Sequence, residues 1–446
     1  MPKAPPRPAA HKPDPALQSL LEVHEATLSN GLRVRLLPNP QTPVISLYTF
    51  FQVGSRNERP GITGISHLFE HMMFNGAKKY GPKEFDRTLE SNGGRSNAYT
   101  SNDMTVYYDD FSSDALETVL DLESDRMRSL RISDATLTSE RQVVMEERRV
   151  RVDNEITGIM DEELGTLVYK AHPYRWPVIG WMADIENISR QDCEQYFRTY
   201  YAPNNAVMYL SGDFDPKKTL ALIKRYYGNI PKGPKPLPVI DAEPAQKGER
   251  RAVVRHPAQS PSVMIGFRGP KATEMETQVL DVIQYALNKG EGSRLVKGLV
   301  YEQQIAVSVM FDWGWRIDPG TVVFYLELKP ESDPEKAEAA LYAELEKVAK
   351  EGLTERELQK AKNNLRADQM RELGTNNGRA HALGHYEALL GSWRELTLLP
   401  SRYASITNDQ VKAVAAKFFS PDRRSVVTLL PEAEAESPSE SDTAAA

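Results

Sequence analysis

Short apolar runs and longer stretches of helical spacing succeed one another along this chain in an order that occurs twice. In the first half, strand-like runs come first, VRLLP from Val34 and VISLYTFFQVG from Val44. A helix follows near residue 67, then a strand, TVYYDDF from Thr105, then several helices and a last apolar run, VMYLSG from Val207. The second half keeps this coarse order. Helices grouped beside antiparallel strands predict an α+β fold.

The two halves also match residue by residue. ISRQDCEQYFRTYYAP from Ile188 and ITNDQVKAVAAKFFSP from Ile406 share an opening Ile, a Ser/Thr N-cap candidate and a closing pair of aromatics before Pro, at an offset of 218. TPVISL from Thr42 faces SPSVMI from Ser260 at the same offset, and SERQVV from Ser139 resembles TERELQ from Thr354 at 215. Three matches in order imply duplication. The expected organisation is a disordered tail over residues 1–17, a first domain over 18–230, a Pro/Lys-rich linker over 231–250, a homologous domain over 251–432 and a disordered acidic tail over 433–446.

Within the first half, GITGISHLFEHMMFNG from Gly61 places His67 and His71 at i and i+4, on one helix face, with Glu70 beside them. Two imidazoles so spaced can bind one zinc ion, and the carboxylate can reach a water that the metal activates. On spacing alone the triplet stands equally as a metal site or as a polar helix face. The order H-x-x-E-H inverts the common zincin motif. A catalytic zinc wants a third ligand. TSERQVVMEERRVRVDN from Thr138 carries Glu140 and Glu147 at i and i+7, but on charge alone this helix reads as solvated.

HLFEH together with ERQVVMEE resembles the pitrilysin and insulin-degrading-enzyme superfamily, the inverzincins, which include the mitochondrial processing peptidases and their bacterial relatives. NAYTS from Asn97, HPYRWPVIG from His172 and YYAPNNAVMYLSGDF from Tyr200 are similar to further landmarks of that group. The resemblance implies a zinc metalloendopeptidase holding one Zn2+ through His67, His71 and Glu147, which lies 76 positions after His71. It implies Glu70 as the base, Glu140 as support behind the ligands, and Asn97 and Ala98 as an edge that pairs with extended substrate. Without the resemblance, NAYTS reads as an ordinary edge strand.

The second copy lacks the metal residues. At offset 218, His67, Glu70 and His71 map to Tyr285, Asn288 and Lys289, and at 215 Glu147 maps to Lys362. The family also uses an Arg and a Tyr seven residues apart in this copy to hold substrate and the oxyanion. Those positions align to Val300 and Val307; Arg294 and Tyr301, with the same spacing, lie six residues too early and read as structural. The expectation is therefore a heterodimer with a homologous, zinc-free subunit that brings the Arg/Tyr pair, a homodimer being the alternative. Substrates would be short or unfolded peptides in an enclosed chamber. The rival readings are a non-enzymatic scaffold of the same fold and a zinc hydrolase of small molecules.

Composition adds exclusions. A net charge of −7 argues against nucleic acid, and no apolar run approaches a membrane span. The single Cys193 cannot form an internal disulfide and reads as a half-buried helix residue rather than a nucleophile. His381 and His385 have no acid between them and read as a helix-surface or helix-packing pair; Asp109 and Asp110 read as a strand end, and Glu162 and Glu163 as solvated charges. The first residues lack the apolar region of a signal peptide, so the cytoplasm is the expected compartment, or the periplasm if the start hides a signal.

Overall fold

The computed structural model describes residues 11–240 and 243–432. Two sheets carry the fold. The first contains β1 (His24–Thr27), β2 (Arg33–Pro38), β3 (Val44–Phe51), β4 (Arg95–Thr100), β5 (Thr105–Ser112) and β6 (Ala206–Gly212), in the order β1-β2-β6-β3-β5-β4. The second contains β7 (Arg250–His256), β8 (Ser262–Arg268), β9 (Ala306–Trp313), β10 (Thr321–Leu328) and β11 (Arg424–Pro431), in the order β7-β11-β8-β10-β9. Apart from β1, the two orders are the same. Each sheet is mixed rather than purely antiparallel: β2 runs parallel to β6 and β7 parallel to β11, while the other pairs are antiparallel. The duplication read from sequence is thus a duplication of topology.

Each half also lends the other a helix. The helix Ile156–Val168, from the first half, lies on β7, β8 and β11, burying Met160, Leu164 and Val168 against Met264, Val427 and Leu429. Its counterpart Asn376–Leu390 lies on β3 and β6 of the first sheet. That approach is close: a Cβ added at Gly384 would stand 2.0 Å from the Phe50 ring, so only glycine fits. Asn376–Leu390 is joined to the first sheet by polar groups as well as by apolar packing. Glu387, 1% exposed, accepts from Arg35 Nη2 at 2.7 Å, from Arg33 Nη1 at 3.2 Å and from the Tyr209 hydroxyl. Asn377 donates to Asp110 at 3.0 Å and accepts from Tyr48 at 2.9 Å.

Several sequence expectations change here. Residues 1–10 and the acidic tail 433–446 lie outside the described residues. The tail expected over 1–17 does not extend so far. Asp14 caps a helix, Pro15–Leu20, whose first position suits Pro, and Leu17 is fully buried. The described residues of the linker before Arg250 form neither helix nor strand, and Glu243 there accepts from the backbone N–H groups of Lys170, Ala171 and His172. Asp109 and Asp110 lie within β5 rather than at a strand end, Asp109 facing the core and Asp110 the partner helix. Glu162 is not simply solvated but pairs with Arg148 at 2.6 Å. Cys193 is buried, and burial pushes its thiol up to about 12.

Candidate metal centre

The motif sits on the helix Ile65–Met72. Ile65, Leu68, Phe69 and Met72 are fully buried, the i, i+3, i+4, i+7 stripe of a helix pressed on its sheet. That stripe leaves His67 and His71 facing a neighbouring helix, with Glu70 beside them. The N-terminus is anchored by the buried Glu58, which accepts from Gly64 N at 2.9 Å and Ser66 N at 2.8 Å. Gly64 has φ +87°, and a Cβ there would meet Ile179 O at 2.2 Å, so the entry turn requires glycine. The Tyr107 hydroxyl donates to Phe69 O at 3.1 Å, fixing the last turn.

The facing helix, Asp134–Arg148, starts at Ser133 in a reciprocal cap with Thr136 and buries Leu137, Val144 and Met145. It continues into a π-helical turn, Arg149–Asp153, a widening often found at functional sites. Arg148 fastens this end by donating to Gly180 O at 2.7 Å and to Glu162.

Between the two helices the predicted ligands converge. Glu147 Oε2 lies 3.6 Å from His67 Nε2 and 3.4 Å from His71 Nε2, and one ligand atom from each residue lies within 4.8 Å of the others. Glu140 Oε2 stands 3.5 Å from His71 Nδ1, on the far side of the ring from Glu147. Glu70 points instead at β4, where its Oε2 accepts from the Thr100 hydroxyl at 2.7 Å. Asn97 and Ala98 lie three and two residues before Thr100 on the same strand, and β4 is an edge: among the described residues it pairs only with β5. All seven predicted residues therefore occupy one region.

The electrostatics suit a cation. Burial holds the His67 imidazole down to about 3, with the neighbouring His71 adding to the effect, so it is a neutral nitrogen donor at pH 7. Burial opposes charge on His71, but the contact with Glu140 and the charges of Glu147 and Glu70 outweigh it and raise its value. The hydrogen bond with His71 lowers Glu140. Burial raises Glu70. Three carboxylates thus gather around two imidazoles, and Arg151, 3.0 Å from Glu147 Oε1, is their nearby fixed cation. Two imidazole nitrogens and a carboxylate oxygen form a donor set that fits a zinc ion.

The second half shows what became of the same place. Tyr285 and Lys289 stand at the positions of His67 and His71, on the helix Met275–Asn288 and the residue after it. They face Asp368, on the helix Glu355–Glu372, not Lys362: the Tyr285 hydroxyl lies 3.0 Å and Lys289 Nζ 2.9 Å from Asp368 Oδ2. The register expected for this helix is corrected accordingly. The cap residues Ser133 and Thr354 are 221 apart, which carries Glu147 to Asp368. Lys362 matches Arg141, each donating to an equivalent carbonyl, Ile406 O at 2.7 Å and Ile188 O at 2.6 Å. An ammonium–carboxylate pair thus stands where the first half gathers its metal-binding set.

Val300 is partly buried and Val307 is 52% exposed, and neither side chain offers a donor. Arg294 is bound to Glu357 Oε1 at 3.0 Å, and Tyr301 is exposed. Sequence reasoning does not single out Thr100, because its role rests on a contact across the fold that no local pattern announces.

A duplicated α+β fold, with an inverted His–Glu–His helix facing a helix that brings in the glutamate, defines a class of peptidase folds. Comparison with known proteins agrees. Residues 33–180 match the model described as Insulinase (Peptidase family M16), and residues 187–365 the model described as Peptidase M16 inactive domain. A Helicobacter pylori chain named zinc protease PqqE is 32% identical over 421 residues, covering 93% of this chain and 94% of its own length. An Arabidopsis thaliana chain named "Probable mitochondrial-processing peptidase subunit beta" is 24% identical over 89% of this chain and 76% of its own. The crystal structure of a protease from Helicobacter pylori superposes with a TM-score of 0.89 at 31% identity, over 92% of this chain and all 100% of that one. The Escherichia coli periplasmic protease PqqL superposes with a TM-score of 0.76 at 20% identity, this chain spanning 48% of it. The chain belongs to peptidase family M16, the insulinase family.

Proposed function

We propose that this chain is a zinc metalloendopeptidase acting on short or unfolded peptides, and that it works with a homologous partner. The observation that carries the reading is the convergence of His67, His71 and Glu147 with Glu70 left outside the set, held on its own hydrogen bond to β4. His67, His71 and Glu147 would hold the zinc. When bound, zinc acidifies water and polarises a carbonyl. Glu70 takes the proton of the attacking water and returns it to the leaving amine. Its raised carboxyl serves that exchange, since burial makes it a stronger base than an exposed glutamate. Glu140 orients the His71 ring from behind, as carboxylates commonly do for ligating imidazoles. The open edge of β4 at Asn97 and Ala98 accepts an extended peptide as an added strand.

The partner follows from what the second half does not supply. Substrate backbone and oxyanion need donors, and the side chains of Val300 and Val307 provide none. A relative named as a subunit and another of about twice this length are consistent with paired halves. The test is cleavage of a mixed set of fluorogenic peptides by the chain alone and together with a homologous companion chain that carries the Arg/Tyr pair, each with and without chelator. Chelator-sensitive turnover only in the mixture is expected. Equal turnover by the chain alone removes the partner from the reading. Silence in both, with zinc bound, favours a scaffold.

A further inference from the structure

The strand β4 is held from both faces at consecutive residues. On one face Thr100 donates to Glu70, on the motif helix. On the other, Tyr99 reaches the helix that the second half lends: its hydroxyl lies 3.0 Å from His381 Nε2. The far nitrogen of that ring, Nδ1, lies 3.3 Å from Glu372 Oε1. A carboxylate at Nδ1 favours the tautomer protonated there, which leaves Nε2 to accept from the tyrosine. Burial keeps the Tyr99 hydroxyl protonated, well above its ordinary range, so it remains a donor. The His381 ring is further fixed by the rings of Tyr48 and Tyr99, at centroid distances of 5.7 and 6.0 Å.

An edge strand has backbone partners on one side only, and a strand so placed frays unless its side chains hold it. Here the free side is the one offered to substrate. Pairing with a peptide needs the strand straight and in register with β5, and Tyr99 lies opposite Val106 in that ladder, next to Thr100 opposite Thr105. Holding an edge ready before the peptide arrives lowers the ordering cost of binding.

We propose that Tyr99 and His381, with Glu372 behind them, are positioning residues that set β4 for substrate, so that the second half supports the catalytic strand of the first. The use of the strand for substrate rests on the peptidase reading above; the clamp itself does not.

Two measurements on the full chain separate them. The first is hydrogen exchange of β4 amides in His381→Leu, Tyr99→Phe and His381→Gln. The two that remove the contact should speed exchange across β4 about fivefold, the size of one lost hydrogen bond, with β2 unaffected. Glutamine, which can still accept at that place, should restore most of the protection. The second is anisotropy of a fluorescein-labelled unfolded casein fragment. His381→Leu should weaken its binding about fivefold, and adding Tyr99→Phe to it should change little more, because both substitutions remove one contact. Unchanged exchange in His381→Leu, or a glutamine variant as loose as the leucine one, overturns the clamp. Faster exchange with unaltered binding of casein confirms the clamp and overturns its role in substrate binding. Faster exchange in a chain that binds no peptide even as wild type, either alone or with the companion chain, confirms the clamp and overturns the peptidase reading instead.

Discussion

Glu70 and Glu147 are both half-buried glutamates within one cluster, and their neighbours divide the work between them. Glu147 faces both imidazoles; Glu70, a residue away from His71, turns to Thr100. Glu70→Gln should keep zinc through dialysis and lose turnover by roughly a hundred- to ten-thousandfold, the range of a general base. Glu147→Gln should lose both. Metal analysis of the dialysed proteins beside a peptide assay, in the composition that turns over peptide, checks this; a Glu70→Gln chain stripped of zinc would move Glu70 into the ligand set. Zinc should also raise the thermal midpoint of wild type, by about 2.7 kcal/mol of added stability at a hundred times its dissociation constant, and leave Glu147→Gln unmoved. At this scale His67, Glu70 and His71 are legible from helical spacing. Glu147 is not distinguishable by charge from Glu140 or Glu146 and comes from family resemblance; what selects it is the Ser133 cap and the burial of Val144 and Met145, which rotate it toward the motif.

Between elements, legibility falls. The repetition of the topology is foreshadowed by matching segments; the order of strands within each sheet is not, because a short apolar run does not say which strand it pairs with. The exchange of Ile156–Val168 for Asn376–Leu390 is not, since a helical period shows that a face is buried but not which sheet buries it. The same limit misplaces the register of Glu355–Glu372: a local match at Ser139 suggests Lys362, whereas the caps and the carbonyl contacts select Asp368. Glu387 is the most telling residue of the exchange. Its carboxylate answers two guanidinium groups and a hydroxyl in a place almost closed to water. Glu387→Gln leaves Arg35 with Glu25, 3.5 Å away and more exposed, as its nearest anion. Removing one member of a buried pair costs about 3–5 kcal/mol, and the remaining glutamate puts this case near the low end. Urea unfolding of the whole chain should show that loss. A change below about 1 kcal/mol would mean that apolar contacts such as Phe50 on Gly384, not the ion pairs, carry the exchange.

Across the whole molecule, the halves are also latched near the entry to the motif helix. Arg56, from the first half, pairs with Asp318 of the second and lies 3.4 Å from Asp103; His172 stands 3.2 Å from the same Asp318. Asp103 in turn accepts from the Tyr174 hydroxyl at 2.6 Å and from Ile317 N at 3.0 Å. Burial works against charge on Asp318, but His172 and Arg56 together hold its carboxyl down to about 2, from an ordinary 3.8. A folded value below the unfolded one means that the folded chain binds fewer protons between them. The stabilisation is therefore complete above roughly pH 4 to 5 and drains away as pH falls toward 2. After allowance for solvent screening it amounts to on the order of 1–2 kcal/mol. Asp318→Asn should be the less stable chain at pH 7 by about that amount, and the gap should close as acid is added, because the wild type then carries a neutral group at the same place. Urea midpoints of the two chains at pH 7, 4 and 3 measure it. A gap that stays constant to pH 3 would show that Asp318 joins the halves by shape and neutral hydrogen bonding, and that the charge of Arg56 is balanced elsewhere in the latch.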